Sequence, residues 1–503
     1  MPKERELKFE IQASDVNRLK RSALFRTAND RRCKQLTTAY YDTPKHRLFQ
    51  AGFSLRVREC EGEYVQSLKA QTAPSFGVYA RDEWEWPVSG PVPDLDLLAD
   101  TPLAHMAEKQ RFRENLSIVF ETRVERTARQ IKQGNAEIEI AVDDGVIVAG
   151  GRSIPIYGLE LELKDGPDDA LFALVPSLPK AATLCIDVLS KSERGYALLR
   201  DSAPHAHKAE SVALDKDATA AQAFQAVMKS CLRQFRLNEP GVLHDRQHEA
   251  LHQARVAIRR CRSGLSFFKP LVADEAFDGQ SDALRRLSRR LGEARDLDVF
   301  LASLDGDDHD NPTPGGLSPD IIIGAKSERE RLYDELNKIL RSDAHRKMLL
   351  SLATWVEQGP WSKVTGPEKA NLYQSVSDFA HTRLKSWRRK VKNRGQDLGS
   401  LSAHDRHRVR IAAKNLRYAS EFMKSLCTSK TMIKRHEAFI DALEALQADL
   451  GILNDQAFGH QLVDHLAGRE SRPDTPLGDD HMELIAHAER SYQDFLKAKA
   501  FWP

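Results

Sequence analysis

The chain has 503 residues, 41% of them hydrophobic and 29% charged, a composition that fits a soluble globular protein with room for two or three cores. No run of 18 apolar residues occurs and no apolar stretch opens the chain, so neither a membrane span nor a secretory leader is expected. Six scattered cysteines (Cys33, Cys60, Cys185, Cys231, Cys261 and Cys427) lack CxxC spacing, which argues against a disulfide framework or a zinc site and for a reducing, cytoplasmic setting.

Residues 1 to about 165 read as strands whose charges share a face. In Glu4 to Glu10, period-2 alternation puts Glu4, Glu6, Lys8 and Glu10 on one side and Leu7 and Phe9 on the other. The scheme recurs in Ser54 to Arg58, with Arg56 and Arg58 together, and in Tyr64 to Lys69. It recurs again in Arg81 to Trp86, where Arg81, Glu83 and Glu85 oppose Trp84 and Trp86. In Glu137 to Asp143, Glu139 and Asp143 oppose aliphatics, and Asp144-Gly145 reads as a hairpin turn. Leu159 to Lys164 sets Glu160 and Glu162 opposite leucines, and Asp165-Gly166 is a second turn signal.

A single such strand would be a solvated edge. Repetition instead points to charges lining a polar cavity, inside an antiparallel barrel that leaves no open edge. Residues 14–24, 93–112 and 169–200 carry helical patterns and would cover the apolar outside. The expected fold class is α+β: an N-terminal eight-stranded antiparallel β tunnel over 1–200, a linker at 201–217, and an all-α region over 218–503.

The helical region repeats itself. His252, Arg255, Arg259 and Arg262 form one helical stripe, and His407, Arg410, Lys414 and Arg417 match it at an offset of 155. Leu291-Gly292 and Leu450-Gly451 match at 159, so two related bundles are expected, about 218–370 and 371–503. The formal charge of +2 hides a local excess. Between Lys385 and Lys424, twelve Lys/Arg meet only Asp397, Asp405 and Glu421, which suggests an anionic partner.

Mixed cations and carboxylates suit a polyanion bound together with a divalent metal. Guanidinium and ammonium groups take phosphate oxygens, and carboxylates take Mg2+ or Mn2+.

Glu4-Arg-Glu6-Leu-Lys8 resembles the ExExK signature of the CYTH superfamily, the triphosphate tunnel metalloenzymes. The likeness continues through Tyr40-Tyr41-Asp42-Thr43, Leu55 to Arg58, Lys69, Arg81/Glu83, Arg126, Glu139 to Asp143, Glu160/Glu162 and Ser190 to Tyr196. It implies an eight-stranded tunnel that cleaves or cyclises triphosphates with metal. Carried over by position, Glu4, Glu6, Glu160 and Glu162 serve Mg2+ (Mn2+ as the second choice). Lys8, Arg56, Arg58, Lys69, Arg81, Arg126 and Lys191 grip phosphates, and Glu83, Glu139 and Asp143 line the tunnel. Glu4, Glu6, Lys8 and Lys191 are the expected catalytic set, with either Glu4 or Glu160 orienting the attacking water. Gly158 stands where the family often has a third acidic residue.

The helical half resembles CHAD, the conserved histidine α-helical domain, which implies inorganic polyphosphate binding by the two stripes. The combined expectation is an inorganic triphosphatase that acts on tripolyphosphate and binds polyphosphate, in the cytoplasm and with polyphosphate granules as a further location. Alternatives are a nucleoside or thiamine triphosphatase, an adenylate cyclase, or a non-catalytic polyphosphate-binding protein. A nucleic acid is not expected, because the stripes lack interleaved aromatics.

Overall fold

The computed structural model describes residues 3–25, 32–70, 76–167, 169–179, 182–200, 206–305, 319–466 and 479–502. Two compact units divide the chain: Met1–His205 with Arg346–Glu357, and Ala206–His345 with Gln358–Pro503.

The first unit holds nine strands: β1 (Lys3–Glu10), β2 (Arg32–Asp42), β3 (Phe53–Cys60), β4 (Glu63–Ala70), β5 (Val78–Val88), β6 (Ser117–Gln133), β7 (Ala136–Ala149), β8 (Arg152–Asp165) and β9 (Cys185–Ile186). They form one antiparallel sheet in the order β5-β4-β3-β2-β6-β7-β8-β1-β9, and β1 pairs with β5 as well as with β8. Its helices are α1 (Ala13–Lys20), α2 (Arg47–Gln50), α3 (Ala104–Ala107), α4 (Gln110–Glu114), α5 (Ala170–Leu174) and α6 (Lys191–Leu199).

The apolar alternation drives this arrangement. Leu7 and Phe9 of β1, Ile138, Ile140 and Val142 of β7, and Leu159, Leu161 and Leu163 of β8 are buried. Each such side chain contributes about 1.5–3 kcal/mol when fully buried. α1 packs on β7, α5 on β8, and α6 against β6, β7 and β8. A second apolar cluster joins Tyr41, Leu55, Val57 and Leu68 to Leu98, Leu103 and Phe112, with Trp84 and Trp86 packed on it.

Three expectations are corrected here. Residues 93–112 form no continuous helix but a 3-10 turn (Asp96–Leu98), α3 and the start of α4, because their apolar residues only need to cap the sheet at Leu98, Leu103 and Phe112. The pattern over 169–200 is likewise interrupted, by a 3-10 turn (Val175–Ser177) and by β9. Asp144-Gly145 is not a turn: β7 runs straight through it, paired to Glu125 and Val124 of β6. A Cβ on Gly145 would lie 2.1 Å from the Arg123 carbonyl oxygen, so this glycine permits a close backbone approach inside the sheet.

In the second unit no strand runs among the described residues. Its helices are α7 (Ala220–Asp245), α8 (His248–Val272), α9 (Phe277–Asp305), α10 (Pro319–Leu340), α12 (Pro367–Tyr373), α13 (Val376–Arg394), α14 (Ala403–Phe422), α15 (Lys430–Leu466) and α16 (Asp479–Lys497). α11 (Asp343–Gln358) falls mostly in the first unit's share of the chain. α7 starts at a capping box, Thr219 with Gln222, and α14 starts at Ser402, whose hydroxyl accepts the Asp405 N–H. The matched helices α8 and α14 pack on each other, and each packs on a long following helix, α9 and α15 respectively. The sequence breaks at 305–319 and 468–478 fall almost wholly outside the described residues.

Candidate active site and candidate polyanion site

Cross-strand register collects the charges of the first unit. Glu6 of β1 stands opposite Glu162 of β8, which stands opposite Glu139 of β7. Lys8 stands opposite Glu160, and Asp143 opposite Arg126 of β6. Further round the sheet, Arg56 of β3 faces Tyr40 of β2, and Lys69 of β4 faces Glu83 of β5. With period 2, all of these fall on one face and line a single pocket.

The pocket contains every tunnel residue expected from sequence, with one exception: Arg81 pairs with Glu4 in backbone register, and its side chain lies outside those described. It also contains Tyr40, Glu85 and Lys164, to which the sequence reading assigned no site role. Lys164 continues the Glu160, Glu162 alternation, so the signal for it was there. Arg123, on the opposite face of β6, is exposed and pairs with Glu121.

Ion pairs knit the lining. Lys69 Nζ bridges Glu4 (2.7 Å) and Glu83 (2.8 Å). Lys8 Nζ is 2.9 Å from Glu6 and 3.4 Å from Glu160. Lys191 Nζ donates to Asp143 (2.7 Å) and Glu160 (2.6 Å), and Arg126 donates to both of the same carboxylates. Lys191 is delivered by the first turn of α6, whose capping box joins Ser190 and Glu193. Ser190 and Ser192 of that turn also line the pocket, and helix N-termini favour anions. Gly195 lets α6 sit on the Phe120 ring, which a Cβ would meet at 2.3 Å.

In the second unit, Arg255 and Arg259 of α8 and Arg410, Lys414 and Arg417 of α14 act on one another electrostatically. Some are partly neutralised. Arg255 donates to Asp296 (2.8 Å), and Arg417 pairs with Glu444 (2.7 Å) and Glu421 (3.1 Å). Arg262 is set apart from them, beside Ser288 at 3.3 Å and under the repulsion of Arg285. Burial, Arg295, Arg259 and Arg255 hold His252 below the ordinary histidine range, Glu249 opposing.

Residues 2–196 match the family model of the CYTH domain, and residues 226–464 that of the CHAD domain. The chain carries a CYTH domain followed by a CHAD domain. An inorganic triphosphatase of Haemophilus influenzae is 31% identical over 168 residues, 32% of this chain and 46% of that protein. An uncharacterised Mycobacterium tuberculosis protein is 28% identical over 185 residues, 34% of each chain. The chain therefore spans less than half the length of these curated relatives. Among solved structures, the CHAD domain of the plant Ricinus communis is 26% identical, covering 59% of this chain and 98% of that one, with a TM-score of 0.47.

Within the CYTH domain, burial disfavours ionised Glu160, yet Lys191, Lys8 and Arg126 outweigh it and hold the carboxyl well below its usual range. Asp143 is lowered in the same way, with Arg126 and Lys191 overcoming burial. Glu162 moves up instead: burial, Glu4 and Glu139 outweigh its pairing with Lys164. Glu83 is pushed up to about 7 by burial, with Glu4 adding to this and Lys69 and Arg56 opposing. Arg58 falls to about 10 under the repulsion of Arg56, with burial and Arg126 adding to it. Among the described residues no carboxylate stands within ion-pair distance of Arg58, and its Nε has no hydrogen-bond partner.

Glu4, Glu6, Glu139 and Glu162 fit a hard divalent cation in donor type. No three acidic, His or Cys side chains among the described residues converge as a metal-holding group in this arrangement. Lys8, Lys69 and Lys164 hold Glu6, Glu4 and Glu162 instead.

No described helix is long and apolar enough to cross a membrane. Among the described residues all six cysteines are free thiols.

Proposed function

We propose that the CYTH domain hydrolyses inorganic triphosphate to pyrophosphate and phosphate, with Mg2+ or Mn2+, and that β1 to β8 act as an eight-stranded tunnel, with the two-residue β9 added outside it at β1. The double pairing of β1, to β8 and to β5, supports the tunnel reading. The observation that carries the activity is Arg58. A guanidinium that lines the pocket beside Arg56 and Arg126, with no carboxylate at ion-pair distance among the described residues, is a seat for an external anion.

Phosphate oxygens entering there would meet Arg56, Arg58, Arg126, Lys8, Lys69 and Lys191. They would loosen those cations from Glu4, Glu6, Glu83 and Glu160. Glu4, Glu6, Glu160 and Glu162 would hold the metal, with Glu139 nearby. Such an ion supplies charge neutralisation on the phosphates and acidifies water. Lys191, on its helix turn, would close over the phosphate chain. The pocket's apolar lining is limited to Leu36, Val124 and the ring of Tyr40, which already stacks on Phe120 at 4.4 Å, so a nucleobase finds no open aromatic platform.

Phosphate release from tripolyphosphate, ATP, thiamine triphosphate and long polyphosphate, measured with Mg2+ and with EDTA, tests this reading. Tripolyphosphate should be turned over fastest, and only with metal. Equal or faster turnover of ATP or thiamine triphosphate, or cyclic AMP formation, would replace the inorganic substrate. No turnover at all would leave a non-catalytic binder.

For residues 218–503 we propose polyphosphate binding by two related bundles. The support is the basic cluster shared by α8 and α14. Reversing Arg255, Arg259, Arg410 and Lys414 to Glu should abolish polyphosphate affinity. Unchanged affinity would make the stripes ordinary surface. A cytoplasmic, granule-associated location completes the proposal, and fluorescence imaging of a tagged chain beside stained polyphosphate would check it.

A further inference from the structure

The two halves of the helical repeat differ where each stripe meets the helix that follows it. Gly292 of α9 lies under Arg255 and Gly451 of α15 under Arg410, so the offset of 159 aligns these two following helices residue by residue. Along α9, Arg285, Arg289, Gly292 and Asp296 fall on one helical stripe. Two contacts put this stripe beside α8: Asp296 accepts from Arg255 at 2.8 Å, and Ser288 lies 3.3 Å from Arg262. On α15 the counterparts of Arg285 and Arg289 are Glu444 and Ala448.

That difference decides how the two seams are charged. Arg262 has no carboxylate within ion-pair distance among the described residues, and Arg285 repels it. Arg285 pairs with Asp282 (2.8 Å), one helical turn away and exposed, a kind of pair that contributes little. Arg289 is exposed and has no ion-pair partner among the described residues. Arg417, the counterpart of Arg262, is held instead by Glu444 at 2.7 Å and by Glu421 at 3.1 Å. Glu421 also holds Arg260, and its own counterpart on α8 is the uncharged Ser266. The α8–α9 seam thus sets Arg262, Arg285 and Arg289 against Asp282 alone. The α14–α15 seam sets Arg417 against Glu421, Glu444 and Asp441, the counterpart of Asp282.

We propose that a phosphate chain seated on the α8 and α14 stripes leaves them on one side only, over the α8–α9 seam, where Arg262, Arg285 and Arg289 hold it, while Glu444 closes the equivalent exit. The inference rests on the polyphosphate reading of this domain and gives the chain a path through it. Phosphate oxygens reach Arg262 and Arg289 without breaking an ion pair. A phosphate approaching Arg417 must displace Glu444 and is repelled by it. An inorganic chain fits this path better than a single-stranded nucleic acid, because no aromatic residue stands on the α9 stripe to stack a base.

Isothermal titration of the full chain with long-chain polyphosphate, in EDTA and over a range of salt, tests the path. Arg285→Ala combined with Arg289→Ala should weaken binding roughly tenfold and flatten the slope of log Kd against log salt by about one unit. Arg286→Ala combined with Arg290→Ala removes the same charge from another face of α9, where Arg290 pairs with Glu293, and should leave affinity and slope nearly as in the wild type. Glu444→Arg gives the second seam the residue of the first and should tighten binding several-fold. Arg285 is 66% exposed and Glu444 54%, so the fold should survive each change, and urea melts verify it. The tunnel is the same in every chain, so the differences report the helical domain. Equal losses in the two double variants, or no loss in the first, overturn the path. Unchanged or weaker binding in Glu444→Arg overturns its one-sidedness. Failure of the wild type to bind polyphosphate overturns the polyphosphate reading and the path with it. A single-stranded nucleic acid that binds the wild type as tightly, and is weakened by the same double variant, would replace the inorganic chain as the occupant.

Discussion

Arg410 places its Nη2 3.1 Å from the point where a Cβ on Gly451 would stand, so the guanidinium packs on the bare backbone of α15. Arg255 lies on Gly292 of α9 in the same manner, its nearest atoms at 3.7 Å. The two Leu-Gly pairs that betray the internal repeat are thus the floor under the equivalent arginines of the two stripes. The two contacts differ in tightness, which gives opposite expectations for one substitution. Glycine inside a helix costs up to about 1 kcal/mol relative to alanine. Gly292→Ala should raise stability to urea and leave polyphosphate affinity unchanged, because 3.7 Å is ordinary contact. Gly451→Ala should also gain stability but lose affinity a few-fold, because Arg410 must move, and Gly451→Leu should lose about tenfold or more. Urea melts and titration with polyphosphate on the same samples check the split.

Glu6 is 3% exposed and lies 2.9 Å from Lys8, which keeps Glu160 at 3.4 Å as a second partner. Replacing its carboxylate by an amide preserves shape and leaves Lys8 neutralised, so the fold should survive. On the proposed reading, its charge toward the metal is lost. Glu6→Gln should lower kcat for tripolyphosphate roughly 100-fold or more with Mg2+ saturating. EDTA should reduce the wild type to the same floor. Unaltered kcat in Glu6→Gln would remove Glu6 from the site.

The charged face of the strands was legible because a period of 2 leaves little choice. Once Leu7 and Phe9 are inside a core, Glu6 and Lys8 must lie opposite. Arg56, Lys69 and Glu160 followed by the same rule, and Lys164 would have, had the alternation been carried one step further. The long strand β6 was harder to see. Its burial alternates only in part, and Glu121, Arg123 and Glu125 on its outer face look like loop charges. Gly145 misled for a different reason. Asp-Gly is a strong turn signal locally, but the Cβ-free position was needed for the Arg123 carbonyl across the sheet, a contact no local pattern records.

Tyr40-Tyr41-Asp42-Thr43, part of the family likeness in the sequence, closes a buried hydrogen-bond hub. Asp42 accepts the N–H groups of Thr43 (2.7 Å), Leu48 (2.9 Å) and Phe49 (3.0 Å) and the Tyr196 hydroxyl (2.7 Å). Tyr196 thereby fastens α6, and with it Lys191, to the end of β2. Tyr196→Phe removes one hydrogen bond to a charged group and should cost about 1.5–3 kcal/mol in a urea melt. Asp42→Ala strands several donors at once and should cost more. If the hub only braces the helix, KM for tripolyphosphate should move little in Tyr196→Phe at temperatures well below unfolding. A large KM increase there would show that α6 places Lys191 loosely once the bond is gone.

Glu83 shares Lys69 with Glu4 and lies 3.4 Å from Arg56, yet burial pushes it up to about 7. The sign of its effect on substrate follows. Below pH 7 the side chain is mostly neutral, and a triphosphate meets one negative charge fewer. Above pH 7 it ionises, competes for Lys69 and Arg56, and repels the substrate. KM for tripolyphosphate should therefore rise as pH goes from 6 to 8, by about tenfold if the whole Glu83 term is felt. The opposite linkage applies to the empty fold. With its folded pKa above the unfolded value of 4.5, Glu83 contributes stability below pH 4.5 that is lost as pH climbs to 7. Glu83→Gln fixes the neutral form and should show a smaller KM change across the same range, whatever the substrate's own titration adds to both curves. The ratio of wild-type to Glu83→Gln KM at pH 6, 7 and 8 isolates the residue. A ratio that stays constant across those three values would mean that Glu83 does not titrate there.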